Sequence, residues 1–300
     1  MIARTQRWVI ALLLAAAGAW AAFFVWLGGA WLALLGALAI LNTQSLLIAF
    51  EYLVLMPLAN RDDPTPRPSI AQRARAWWRE SVTGHLVFSW RQPFRADAQP
   101  DALDGHAGQR ALVLVHGFFC NRGLWNPWMR RLRALRVPHL AITLEPVYGS
   151  IDEYVPQIDA AVERAWRATG VAPVIVAHSM GGLASRAWWR AKGTAADARV
   201  AHVITIGTPH SGTLTARFAH GLNARQMRLG SPWLAQLAAA EPPARHERFT
   251  CFYSHCDNIA MPSATATLPG ADNRHLAGTP HVALAYHRAV FDEALSRARA

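Results

Sequence analysis

One serine in this chain of 300 residues stands where a hydroxyl group can act as a nucleophile. The stretch VIVAHSMGG, residues 174–182, leads from four apolar residues into His178, Ser179 and a pair of glycines. A small residue, any residue, serine, any residue and glycine after an apolar run is typical of a sharp strand-to-helix turn that exposes the serine. The spacing alone is a weak signal, so the residues that would activate the serine decide its meaning.

A serine hydroxyl needs a neighbouring base to become a useful nucleophile. We predict that this base is His281, in a loop directly before the last helix-like stretch, rather than His275 or His287. The acid that would orient the imidazole is predicted to be Asp257, which follows the apolar run FTCFYS, rather than Asp272. The chain order Ser, Asp, His is one of three familiar orders for serine hydrolases.

Short apolar runs predict the strands that must position these residues. The runs are ALVLV (111–115), HLAITL (139–144), APVIVA (172–177), AHVITI (201–206) and FTCFYS (249–254), and helix-like stretches separate the first four. This alternation predicts a parallel sheet that is covered by helices on both faces. Chemistry in such sheets collects at the carboxyl ends of the strands, where Ser179, Asp257 and the loop His116-Gly117-Phe118 are all expected.

Several segments together resemble a bacterial lipase of the α/β-hydrolase superfamily, in the group whose turn begins with alanine (Ala177) instead of glycine. They are AHSMGG, VHGFFCNRGLW, IGTPHSGT, DNIAMPS and PHVALAY, within residues 110–298. The resemblance implies an α/β-hydrolase fold and serine carboxylic-ester hydrolysis through Ser179, His281 and Asp257. Backbone N–H groups of Phe118 and Met180 would then stabilise the oxyanion. It implies no cofactor, and no metal-ligand spacing appears among the histidines, cysteines and acids.

Two other functions remain open at this point. An acyltransferase could use the same serine with an alcohol other than water as the acceptor, and a membrane-associated binding protein could retain the scaffold without catalysis. Residues 213–247 are expected either to cover the active site as a cap or to form a small helix packed on the core. In the first case an acyl site would be lined by Phe218, Leu222, Met227, Trp233, Leu234 and Leu237.

The N-terminal region has the composition of a membrane segment. Trp8 to Leu41 contains no charged residue and no hydroxyl or amide side chain, and it is too long for one span. We therefore expect a membrane anchor in residues 1–59 with two transmembrane helices, 8–27 and 30–50, joined at Gly28-Gly29. A cleaved signal peptide is the rival interpretation, but its apolar core would be shorter.

Arginines flank the predicted spans and place both chain ends in the cytoplasm. The expected location is therefore a bacterial inner membrane, with several passes and the catalytic domain on the cytoplasmic face. A single span would instead turn that domain outward.

A linker and peripheral region is expected in residues 60–109, ahead of a catalytic domain in residues 110–300. The proline-rich stretch from Arg61 to Ser69 predicts extended chain. A short helix is predicted from Ile70 to Glu80 and a strand from His85 to Trp90. The net charge of +11 is carried by scattered arginines and one lysine, without a nucleic-acid motif. The expected partners are therefore an ester or lipid substrate and a membrane, not a nucleic acid.

Overall fold

A computed structural model describes residues 1–300 and shows a six-stranded parallel sheet with helices on both faces. The strands are β1 (Leu112–Val115), β2 (His139–Ala141), β3 (Val174–His178), β4 (His202–Ile206), β5 (Phe249–Tyr253) and β6 (Asp272–His275), in the spatial order β2-β1-β3-β4-β5-β6. Every neighbouring pair is parallel. The α/β-hydrolase fold that the sequence implies is confirmed.

The helices divide into an N-terminal set and a set that alternates with the strands. Before the sheet come α1 (Ile2–Trp26), α2 (Ala30–Leu41), α3 (Thr43–Phe50), α4 (Met56–Ala59), α5 (Ile70–Gly84) and α6 (Gln92–Phe94), with π-helical segments at Glu51–Leu55 and His85–Arg91. Among and after the strands come α7 (Asn126–Ala134), α8 (Val155–Thr169), α9 (Met180–Lys192), α10 (Thr194–Asp197), α11 (Leu222–Gln226), α12 (Pro232–Ala239), α13 (Pro243–His246), α14 (His281–Leu284) and α15 (Arg288–Arg299).

The central strands are buried on both sides because a hydrophobic core covers each face of the sheet. On β3, Ile175 and Ala177 face one core, whereas Val174 and Val176 face the other. This is the two-sided burial that continuous apolar runs predict for parallel strands. The arrangement brings the carboxyl ends of β1, β3, β4 and β5 to one edge of the sheet, where the predicted site residues follow.

Two strand predictions differ from the structure. His85 to Trp90 was expected to be a strand, but it continues α5 as a π-helical segment. Ser81, Gly84 and Val87 are buried at intervals of three residues through α5 and this segment, so burial follows a helical period and not an alternating one. The edge strand β6 was not predicted because its sequence, DNRH, is polar and largely exposed. An edge strand that faces solvent has no apolar run to reveal it.

The region expected to be a linker is tied to the catalytic domain. Arg61 to Ser69 contains no helix or strand, as predicted. However, the side chain of Asp63 accepts a hydrogen bond of 2.8 Å from the backbone N–H of Ala264. Asn60, just before this stretch, accepts one of 2.8 Å from the N–H of Ser263. The predicted short helix is α5, which extends to Gly84. The hydrogen bonds of Asn60 and Asp63 attach this region to the connection between β5 and β6.

The apolar N-terminus contains one helix with the length and hydropathy of a membrane span. α1 has 25 residues, and its most apolar window of 18 residues has a mean hydropathy of 2.2 with only 6% of that window buried. By length and composition it fits either a membrane anchor or an N-terminal signal sequence. The second predicted span, residues 30–50, is not one helix, because α2 meets the segment Thr43–Ala59 at a bend of 70°. Multiple passes are therefore not supported.

The bend after α2 turns the chain back onto the catalytic domain. Tyr52 is buried, and its hydroxyl donates a hydrogen bond of 2.8 Å to the carbonyl of Cys256. Ile48 and Met56 pack in the same small core as Met261. Since this segment is committed to protein contacts, it is not free to cross a bilayer as the continuation of α2.

Candidate functional site

Ser179 occupies the sharp turn between β3 and α9. Its backbone has φ 55° and ψ −128°, a conformation that a residue with a side chain rarely adopts. The following helix must approach closely, because a Cβ on Gly181 would lie 2.5 Å from the carbonyl oxygen of His116. A Cβ on Gly182 would lie 2.2 Å from the Thr208 hydroxyl. The strained serine and its two glycines have the form of a nucleophile elbow.

The structure brings Asp257 and His281 into direct contact. Oδ2 of Asp257 lies 2.8 Å from Nδ1 of His281, and both side chains are buried. The other carboxylate oxygen, Oδ1, accepts backbone hydrogen bonds of 2.8 Å from Ile259 and Ala260. Asp257 is therefore held on both oxygens, and it fixes the orientation of the imidazole with Nε2 left available.

Ser179 and His281 line the same cavity, together with Gly117 and Phe118 of the loop after β1. A Cβ on Gly117 would be 2.7 Å from the Cβ of Ser179, so only glycine lets this loop lie against the serine. The N–H of Phe118 donates no hydrogen bond within the protein. The N–H of Met180 lacks an intrahelical acceptor because Met180 is the first residue of α9. Phe118 lines the cavity and Met180 directly follows the serine, so both residues are close enough to be candidates for binding an oxyanion.

Three carboxylates surround the His281 imidazole. Glu80, on α5, accepts hydrogen bonds from the backbone N–H groups of Val282 (2.7 Å) and Ala283 (3.2 Å), which directly follow the histidine. Burial alone lowers the pKa of His281, but the charges of Asp257, Glu80 and Glu51 outweigh it and hold that pKa above its usual value. Burial raises the pKa of Glu80 itself to about 7. These charges therefore stabilise the protonated form of His281 relative to an ordinary histidine.

Two further histidines beside the serine serve as neutral hydrogen-bonding groups. Nε2 of His116 accepts the N–H of Leu144 at 2.9 Å, so its Nδ1 donates to the carbonyl of Gly117 at 2.8 Å. Burial lowers the pKa of His116 to about 4. Nε2 of His178 lies 3.1 Å from the carbonyl of His281, and burial, with a contribution from His281, lowers its pKa to about 3. Both shape the loops around the serine.

The competing candidates lie elsewhere. His275, on β6, contacts His255 at 2.9 Å and does not line the serine's cavity. His287 accepts the N–H of Ala289 and so caps α15. Asp272 is exposed and pairs with Arg274. The structure therefore places none of these competitors beside Ser179.

The cysteines are free and buried, and none has the environment of a reactive thiol. Burial raises the pKa of Cys120, which lines the cavity, to about 12. No group of three or more histidine, cysteine or acidic side chains is arranged to hold a metal ion.

The six residues predicted to line an acyl site do not line this cavity. Phe218 and Leu222 are exposed, and the other four pack in or against the core on one face of the sheet: Met227, Trp233, Leu234 and Leu237. The segment 213–247 therefore follows the alternative expectation of small helices packed on the core. Its sequence could not distinguish the two arrangements, since apolar helical pieces suit both.

Residues of the N-terminal helices form the cavity wall that sequence reasoning had assigned to the cap. Gln6, Ile10 and Leu13 of α1 line it, as do Leu47 of α3 and Glu80 of α5. Gln6 also donates a hydrogen bond of 3.3 Å to the carbonyl of Phe119, in the loop that precedes Cys120. The only signal for Glu80 was that it is the one acidic residue in α5.

Comparisons with known proteins agree with this architecture. Residues 112–298 match the model of a family described as the alpha/beta hydrolase family. The mature lipase BlEst2 of Bacillus licheniformis is similar in structure, with a TM-score of 0.57 and 16% identity over 66% of this chain and 96% of that one. Lipase B of Aspergillus fumigatus gives a TM-score of 0.50 and 17% identity over 59% of this chain and 47% of that one. No curated protein sequence matches this one.

Proposed function

This chain belongs to the alpha/beta hydrolase family, and from that premise we propose that it is a serine carboxylic-ester hydrolase of the lipase type. The observation that carries the proposal is the strained Ser179 in one cavity with His281, whose Nδ1 is held 2.8 Å from Asp257. A hydroxyl, a base and an acid that orients the base are the parts that acyl transfer through serine requires.

In the first half of the proposed reaction, Oγ of Ser179 attacks the carbonyl carbon of the ester while Nε2 of His281 accepts the hydroxyl proton. The N–H groups of Phe118 and Met180 stabilise the oxyanion that develops, each by about 3–4 kcal/mol. When the carbon–oxygen bond of the ester breaks, the imidazolium returns its proton to the departing alcohol. An acyl-serine remains.

In the second half, water attacks the acyl-serine with His281 again as the base, and the serine leaves with the proton. The products are a carboxylic acid, an alcohol and the regenerated Ser179. An acyltransferase would differ only in this step, because a second alcohol would replace water. The ester hydrolase is preferred since no feature of the cavity designates a binding site for a second alcohol.

The N-terminal helices are proposed to attach the enzyme to a membrane. The support is the composition of α1 and the large apolar side chains that α1 and α2 expose, among them Trp26 (79% exposed) and Trp31 (76%). A water-soluble surface does not carry such a continuous apolar face. The substrate is accordingly proposed to be an acyl ester at or near that membrane.

The test is hydrolysis of p-nitrophenyl esters by the full chain in detergent micelles. Ser179→Ala and His281→Ala are expected to lower kcat by about a millionfold, and Asp257→Asn by about ten-thousandfold. Ser211→Ala and His220→Ala are matched controls, because both residues are exposed and lie outside the cavity. The controls should retain full activity.

Each outcome separates the proposed activity from its alternatives. Hydrolysis that survives Ser179→Ala would contradict the serine mechanism. Ester formation with an added alcohol in preference to hydrolysis would point to the acyltransferase. No turnover by a folded wild-type chain with either acceptor would favour a binding protein.

A further inference from the structure

The cavity above Ser179 has a volume of about 530 Å³, within the range of about 300–1,000 Å³ that is common for ligand pockets. Much of its wall lies outside the residues that match the hydrolase family, because α1, α3 and the segment His85–Arg91 contribute to it. A cavity that only served the reacting atoms would not need this additional wall. Its size and lining point to a binding site for the rest of the substrate.

One face of α1 forms a stripe along the cavity. Val9, Ile10 and Leu13 line it, at the spacing that places side chains on the same side of a helix. Leu12 lies two residues from Ile10, about 200° around the helix, and is 66% exposed. The same helix thus presents one apolar face to the cavity and another to its surroundings.

The cavity reaches the apolar outer surface of the N-terminal helices. Val9 and Leu47 both line it, yet they are 45% and 59% exposed. Ile48, beside Leu47 on α3, also lines the cavity and is buried, and the half-buried Phe88 lines it as well. An apolar path therefore runs from the exposed helix faces between Val9 and Leu47 to Ser179.

We propose that this path holds the acyl chain of a membrane lipid ester, which enters between α1 and α3 and places its ester bond at Ser179. This inference rests on the proposed function. The occupant is an acyl chain because the path ends at the nucleophile and its sides are mainly hydrocarbon. The source is the lipid layer because the outer end of the path opens on the surface that the same helices would bury in lipid.

The experiment compares long and short acyl chains in variants of α1. The full chain in detergent micelles is assayed with p-nitrophenyl palmitate and p-nitrophenyl acetate. Ile10→Trp fills the path with a larger side chain, and Leu12→Trp makes a comparable change on the exposed face of the same helix. Leu13→Ala removes an apolar contact without adding bulk. Fluorophosphonate labelling of Ser179 checks that each variant has a working serine.

Ile10→Trp is expected to lower the palmitate-to-acetate ratio of kcat/KM by about tenfold or more, and Leu13→Ala by several-fold. Leu12→Trp should leave the ratio unchanged. A ratio that Ile10→Trp and Leu13→Ala do not alter, in chains that still hydrolyse acetate, would overturn the acyl path alone. If the wild type hydrolyses neither ester and Ser179 is not labelled, the proposed function itself fails, and the acyl path with it.

Discussion

His281 is surrounded by more negative charge than its partner Asp257 supplies. Glu80 and Glu51 add to the field of that carboxylate, and His178, which is neutral, does not oppose it with a charge. The imidazole must be neutral to accept the serine proton, and its pKa lies above the usual value. We therefore expect kcat/KM to fall as the pH is lowered, with a midpoint above the ordinary pKa of histidine.

Glu80→Gln tests the part that α5 plays in this effect. The amide removes the negative charge that Glu80 carries above its pKa of about 7, and it accepts hydrogen bonds through one oxygen only, where the carboxylate uses both. We expect kcat to fall by about tenfold with KM little changed, because the histidine is less well positioned. The pKa of His281 should fall, so the acidic limb of the kcat/KM profile should move to lower pH.

Glu247→Gln is the matched control, since Glu247 is exposed. It should alter neither kcat nor the pH profile. If Glu80→Gln lowers stability but leaves the acidic limb in place, Glu80 is structural only and does not act through the charge of His281.

Gly207 lies beside the Asp257–His281 pair, and its substitution tests how much space there is around that pair. A Cβ there would lie 2.8 Å from Oδ2 of Asp257 and 3.0 Å from Nδ1 of His281, at φ +58°. Gly193 has a similar φ of +55° with no atom within 4 Å. Both alanine variants should lose about 1–3 kcal/mol of stability to backbone strain. Only Gly207→Ala should also lose activity, by about a hundredfold.

Melting curves and p-nitrophenyl acetate turnover measure the two effects in the same samples. Equal activity in Gly207→Ala and Gly193→Ala would mean that the Asp257–His281 geometry tolerates the methyl group, contrary to the close contact described here.

Two of the predicted site residues share one property. Ser179 and Asp257 each follow a buried strand, so the direction of the strand carries them to the edge of the sheet where chemistry collects. Glu80 has no such marker. Its role depends on how α5 packs against the loop before α14, and no local pattern in the sequence encodes that contact.

At the scale of elements, the alternating part of the chain was the most predictable. β1, β3, β4 and β5 each coincide with a continuous apolar run, because both faces of these strands are buried. The segment His85–Arg91 was misread because a short apolar run fits a helix and a strand equally well. The spacing of three residues between the buried Ser81, Gly84 and Val87 is what distinguishes the helix from a strand.

Helix α9, which begins directly after Ser179, is also linked to the segment after α12 by a buried ion pair. Arg186 on α9 donates from Nε to both carboxylate oxygens of Glu241 at 3.1 Å, and the two side chains are 2% and 0% exposed. Glu241→Gln leaves the arginine buried without its counter-charge. We expect a loss of about 3 kcal/mol in the free energy of unfolding.

Asp292→Asn is a suitable comparison, because Asp292 pairs with Arg288 on an exposed face of α15. That variant should change stability by less than about 1 kcal/mol. Thermal melting in detergent measures both, and an equal, small effect of the two substitutions would contradict a stabilising role for the buried pair.

For the whole molecule, the decisive difference from the sequence interpretation lies in the N-terminal helices. Composition correctly marked these helices as apolar, but it did not show that the first half of α1 lines the cavity that contains Ser179. α1 and α2 pack side by side, with the Trp20 indole donating to the carbonyl of Leu32 at 2.9 Å and Gly36 against the same ring. The chain then returns to the catalytic domain. A hydropathy profile records how apolar a segment is and not where it bends.

The length of α2 limits how far the hairpin formed by α1 and α2 can reach into a membrane. Its 12 residues rise about 18 Å, whereas a hydrocarbon layer is about 30 Å thick. We therefore predict that the turn between α1 and α2 enters the lipid without emerging on the far side of the membrane. Leu27→Cys in sealed vesicles should react with a lipid-soluble maleimide but with no membrane-impermeant maleimide on either side.

The native cysteines are buried and give little background for this measurement. Ala300→Cys, at the exposed C-terminus, is the control and should react with the impermeant reagent from one side. Reaction of Leu27→Cys with the impermeant reagent from the opposite side would show a complete span and contradict the prediction.

The central claim is that His281 activates Ser179 as a nucleophile, and covalent labelling tests it most directly. The full chain is treated with a fluorophosphonate, and the modified peptide is identified by mass spectrometry. The account predicts one adduct, on Ser179, whose formation is greatly slowed by His281→Ala and abolished by Ser179→Ala. A folded wild-type chain that acquires no adduct, or that is labelled at Ser179 equally fast without His281, would contradict it.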